Sequence, residues 1–132
     1  MSFRWSDLAG LARDLIDSRG DSETPEAVLR AAISRSYYAA FCTARDELEQ
    51  KGVEVPPGGA HGTVGKRYGS SSDATDKEIG AKLGRLLKQR LIADYDLSPR
   101  RPIDVNLAEL CHLLSVKTLQ LLEGENEGEE AS

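Results

Sequence analysis

The stretch TPEAVLRAAISRSYYAAFCTARDELEQKG, residues 24–52, decides the fold. Thr24 is a good helix cap, and Pro25 fits the first helical position. Glu26 places a negative charge in the first turn, where the helix dipole favours it. The pattern then runs to Lys51 and is stopped by Gly52. Ala27, Ala31, Ser34, Tyr38, Phe41 and Leu48 fall on one broad face, and Leu29, Ile33, Tyr37, Ala40 and Ala44 on another. A helix apolar on two sides is covered on both. It is therefore a central helix, with a bundle against one side and a second subunit able to cover the other.

Working outward, the segment before it predicts a helix over residues 6–17, with Ser6 as its cap and Leu8, Leu11, Ala12 and Leu15 as its apolar stripe. After the Pro56-Pro57-Gly58-Gly59 loop, residues 61–68 predict a short helix weakened by Gly62 and Gly65. A further long helix is expected from Thr75 or Asp76 to Ala93. Ile79, Leu83, Leu86 and Arg90 share one face of it, Leu87 and Leu91 flank them, and Pro99 lies beyond its end. The last helix is expected from an Asp104 cap to Leu122, with Leu107, Leu110, Cys111, Leu114 and Leu121 facing inward. No apolar segment has a period of two. The expected fold is an all-α, up-down bundle of four or five helices in one domain, residues 1–122, followed by a disordered acidic tail, residues 123–132.

That tail holds five Glu and no Lys or Arg, so it carries the whole formal charge of −5. Within the remainder, residues 60–101 hold nine Lys and Arg against five Asp and Glu. The overall charge therefore hides a basic segment that permits a polyanionic partner. No run approaches the roughly 20 apolar residues that span a bilayer, and the N-terminus has no apolar signal stretch. A cytoplasmic chain with no membrane partner is expected. Cys42 and Cys111 sit among apolar neighbours and are expected to be buried, reduced thiols.

Several chemistries are excluded. The chain has no phosphate-binding GxxxxGK[ST] loop, no GxGxxG behind a strand, no HExxH, no CxxC and no GxSxG. No metal site and no cofactor is expected. The residues left are few. Arg90 continues a leucine stripe, so its guanidinium points toward the bundle or its edge. It either pairs with Asp94, one turn on, to close the bundle end, or presents its planar fork to a phosphate. Arg35 lies between two serines in the central helix, either as a structural arginine or as a ligand-binding one. His61 follows a Gly-rich loop and is the best general base on offer, though a solvated loop histidine is the plainer reading. His112 reads as packing or surface. Lys82, Arg85 and Lys88, spaced by three, form either a solvated face or a basic ridge for a nucleic-acid backbone.

Three segments together resemble the small HEPN proteins (higher eukaryotes and prokaryotes nucleotide-binding): Ser34-Arg35-Ser36-Tyr37-Tyr38-Ala39-Ala40-Phe41, then His61-Gly62, then Arg90-Leu91-Ile92-Ala93-Asp94-Tyr95-Asp96. The resemblance covers residues 22–122. It implies a helical bundle, often a homodimer, in toxin–antitoxin or anti-phage defence systems. Some members are metal-independent ribonucleases; others are non-catalytic partners of nucleotidyltransferases. The ribonuclease members carry an arginine followed after a short gap by a histidine. Here the arginines nearest before His61 and His112 are Arg45 and Arg101, at longer gaps. The resemblance thus implies either a ribonuclease with a site assembled across helices from His61, Arg90 and Tyr95, or a binding subunit of a nucleotidyltransferase or larger complex.

Overall fold

The computed structural model describes the backbone of residues 2–131 and the side chains of residues 2–124. Its elements are α1 (Asp7–Ser18), a 3₁₀ turn (Arg19–Asp21), α2 (Pro25–Gln50), α3 (Ala60–Gly69), α4 (Ala74–Tyr95) and α5 (Val105–Ala131). No strand occurs among the described residues. α5 runs past Leu122, where its apolar stripe ends. The expected disordered tail is largely made of residues whose side chains, from 125 onward, lie outside the described ones.

α2 is the central helix, packed against α1, α3, α4 and α5. Ile33, Tyr37, Ala40 and Ala44 are buried on one side, and Ser34, Phe41 and Leu48 on the other. Each large apolar side chain fully removed from water stabilises the fold by about 2 kcal/mol. The helix closes as Gly52 allows. At φ 85° this residue adopts the left-handed conformation, so that Gly52 N–H reaches the Glu49 carbonyl at 3.0 Å and Val53 N–H the Leu48 carbonyl at 3.0 Å. This pair of bonds satisfies the last carbonyls of the helix.

The caps follow the sequence in part. Asp104 Oδ1 accepts from Leu107 N–H at 2.9 Å, as its position predicts. α4 starts earlier than expected, because Asp73 Oδ2 accepts from Asp76 N–H at 2.9 Å. Ser6 and Thr24 make no side-chain cap. Instead Asp7 Oδ2 accepts from Arg4 N–H at 3.0 Å, and Ser22 Oγ accepts from Thr24 N–H at 3.0 Å. α1 is also rotated from the expected stripe. Ala9, Ala12 and Ile16 are buried while Leu11 is 43% exposed. Small residues at positions 9 and 12 let α1 lie close to its neighbours, which leaves the longer Leu11 outside.

α3 and α4 meet at Gly80. A Cβ there would stand 2.5 Å from Gly69 N and 2.7 Å from Gly69 Cα. This close contact holds α3, and with it His61, against the bundle. Cys42 and Cys111 are buried and free, and burial pushes both thiols up, Cys111 to about 11.

Candidate functional site

Tyr37, Phe41 and Arg45 follow one another at intervals of four on α2, and so stand one above the other. Tyr38 and Arg35 lie beside them. His61, at the start of α3, packs on this aromatic wall. Its ring centroid is 4.5 Å from that of Phe41, 5.6 Å from Tyr37 and 5.9 Å from Tyr38. His61 Nδ1 and the Tyr37 hydroxyl are 2.7 Å apart. Among the described residues the other ring nitrogen, Nε2, makes no hydrogen bond, and it is not sealed from solvent. Burial, then Arg90, then Arg45 hold the His61 imidazole below its usual value. The Tyr37 hydroxyl is pushed well above the usual phenol range, chiefly by burial.

Arg90 enters the same cluster from α4. Its Nη2 donates to the Tyr38 hydroxyl. Its guanidinium carbon stands 5.1 Å from the Tyr38 ring centre, 5.8 Å from that of Tyr37 and 5.7 Å from that of Tyr95. Arg90 Nε lies 3.1 Å from Asp94 Oδ2, off the N–H axis, so the contact is an ion pair without hydrogen-bond geometry. Asp94 Oδ2 also accepts from Ser34 Oγ at 3.3 Å. Arg90 is only 8% exposed. The Arg90–Asp94 pair read from the one-turn spacing is present, and Arg90 shares its aromatic neighbours with His61 instead of lying remote from it. Tyr95 meets Arg90 with its ring but is 74% exposed, and among the described residues no ring contact or hydrogen bond joins it to His61.

Arg35 completes the group. It is half-buried, its guanidinium is 5.4 Å from the Tyr38 ring centre, and its Nη2 donates to Ser34 Oγ at 3.4 Å. Among the described residues no carboxylate pairs with it. Arg45, at the far end of the wall, lies over Phe41 at 5.8 Å and over Trp5 at 5.6 Å, and pairs with Asp46 at 3.2 Å. The arrangement is an aromatic floor with arginines at its edges and one imidazole nitrogen open to water. It is suited to binding an anion with an attached planar group.

Lys82, Arg85 and Lys88 stand apart. No hydrogen bond, ion pair or ring contact joins them to His61, Arg90 or the tyrosines among the described residues. Lys82 is partly buried and pairs with Glu78 at 3.2 Å, while Arg85 and Lys88 are exposed. Steps of three form a row inclined to the helix axis, which leaves Arg85 and Lys88 on the solvent side of α4.

Spacing reads Tyr37, Tyr38 and Phe41 as core or interface residues and gives Arg45 no site role, whereas the structure gathers the four around His61. Their signal was the four-residue interval linking Tyr37, Phe41 and Arg45. Arg30 was also overlooked: its Nη1 donates to the carbonyls of Ala93 at 3.0 Å and Asp96 at 2.7 Å, fixing the end of α4 that carries Arg90 and Asp94. Among the described residues no group of His, Cys, Asp and Glu could hold a metal, and no helix is long and apolar enough to cross a membrane. Comparison of the chain with protein families, curated proteins and solved structures returns no match.

Proposed function

We propose that this chain is an HEPN-like, RNA- or nucleotide-directed component of a prokaryotic toxin–antitoxin or anti-phage defence system. It would engage phosphate at the cluster of Arg35, His61 and Arg90. The observation that carries this reading is Arg35, a cation without a carboxylate partner among the described residues, packed on Tyr38, the ring that His61 also contacts. The resemblance of the three sequence segments supplies the biological setting and an expected homodimer.

Two forms of the reading differ in chemistry. In the cleaving form His61 takes the proton of a ribose 2'-OH, the oxygen attacks the neighbouring phosphorus, and Arg90 offsets charge on the phosphorane-like transition state. In the binding form the same residues hold the backbone, and the chain serves a nucleotidyltransferase or a larger complex. The burial of Arg90, 8% exposed, favours the binding form, because a guanidinium so enclosed presents little of its surface to a reacting phosphate.

The test incubates the purified protein with single-stranded RNA in EDTA, beside Arg35→Ala, His61→Ala and Arg90→Ala. The expected result is RNA retention that weakens in Arg35→Ala and His61→Ala, with RNA left intact. Cleavage lost in His61→Ala would establish the ribonuclease form. No retention even at low salt would remove RNA as the ligand.

A further inference from the structure

The geometry points to Tyr37 as a positioning residue that fixes His61 in one neutral tautomer, with its proton on Nε2, so that the open edge of the ring donates a hydrogen bond to a phosphate oxygen. Tyr37 is 1% exposed, and among the described residues its hydroxyl has one hydrogen-bonding neighbour, His61 Nδ1 at 2.7 Å. A buried O–H that donates to nothing costs more than a lone pair left unused. The hydroxyl therefore donates, and Nδ1 accepts. A neutral imidazole that accepts at Nδ1 carries its proton at Nε2.

The neutral ring is itself favoured by its surroundings. Arg45 faces it from α2 and Arg90 from α4, and both oppose a second positive charge; their carboxylate partners are Asp46 and Asp94. Nε2, the ring nitrogen away from Tyr37, is not sealed from solvent. An N–H at that open edge is a donor available to an anionic oxygen. It also leaves the exposed nitrogen without the lone pair that a general base requires. The inference rests on the phosphate-binding reading for its ligand, and it selects the binding form over the cleaving one.

The tautomer is read directly from long-range ¹H–¹⁵N spectra of the ¹⁵N-histidine-labelled full chain at neutral pH. His61→Gln identifies the His61 signals by their loss. A proton on Nε2 and a bare Nδ1 are expected; a proton on Nδ1 overturns the inference. Tyr37→Phe should release the ring into a mixture of tautomers, and if that variant fails to fold the wild-type spectrum still decides. With a labelled single-stranded RNA in EDTA, His61→Ala should weaken binding about tenfold, the loss of one hydrogen bond to a charged group. His61→Gln, whose amide donates but is no base, should recover most of that loss. Equal weakness of both variants would overturn the donor role. An Nε2–H tautomer in a protein that binds no RNA would instead fail the phosphate reading and leave the positioning role of Tyr37 intact.

Discussion

Arg90 and Tyr38 are joined twice: the guanidinium donates to the hydroxyl and also stands 5.1 Å above the ring. The two residues belong to α4 and α2, so the contact fastens the outer helix to the central one. Asp94 holds the same guanidinium from one turn along α4. Removing Arg90 leaves the carboxylate and the hydroxyl short of a partner. Arg90→Ala should therefore cost about 2 kcal/mol, less than the loss of a fully buried pair because Asp94 keeps contact with water. Arg90→Lys should recover only part of that, since an ammonium cannot reproduce the fork. Urea unfolding of the three proteins checks this, and wild-type stability in Arg90→Ala would refute it.

His61 makes stability depend on pH in a definite direction. Its folded value lies below the ordinary 6.5, because burial and the charges of Arg90 and Arg45 disfavour the imidazolium. The unfolded chain then binds the proton more readily than the folded one. The contribution is complete above pH 6.5 and drains away as pH falls through that value toward the folded one. The wild type should lose more stability than His61→Gln between about pH 7 and pH 5, while carboxylate effects are common to both. Parallel stability profiles would show that the imidazole is not held neutral by the fold.

Two glycines on α4 should respond with opposite sign to the same substitution. A Cβ at Gly80 would collide with the backbone of Gly69, which cannot swing aside as a flexible side chain would. Gly80→Ala should destabilise by about 2 kcal/mol, the clash outweighing the better helix propensity of alanine. At Gly84 nothing lies within 4 Å, so alanine should stabilise by about 0.5–1 kcal/mol. Thermal unfolding of both variants measures the difference, and the same sign in both would contradict the close approach of α3 to α4.

The central helix was legible because its two apolar faces and its Pro25 and Gly52 ends all agree. The Arg90–Asp94 pair was legible because both partners lie on one helix, one turn apart. What could not be read was whatever depends on contact between helices. The Tyr37–His61 bond joins α2 to α3, and no spacing rule reaches across the loop between them. Leu11 was misplaced for the same reason: a stripe gives the amphipathic direction only to within the width of a side chain, and the neighbouring helices choose the final rotation.

A second contact between distant segments, Arg13 with Glu109, ties α1 to α5. Nη1 and Nη2 each donate to one carboxylate oxygen at 2.7 Å, and Nη2 also reaches Asp17 at 2.8 Å. The hydrogen bonds from Arg13 hold the Glu109 carboxyl below its usual range. A fork of this kind has better geometry than most surface pairs, but both side chains keep water contact at 34% and 45% exposure. Glu109→Gln should thus cost only about 0.5–1 kcal/mol at neutral pH. The sign with pH is opposite in origin to a raised group: the carboxylate's contribution is present above its ordinary 4.5 and is lost as pH falls through the folded value. Wild type and Glu109→Gln should therefore converge in stability at strongly acidic pH, and should also converge in high salt at neutral pH. A gap that persists in both conditions would mean that the glutamate acts through packing of its stem and not through its charge.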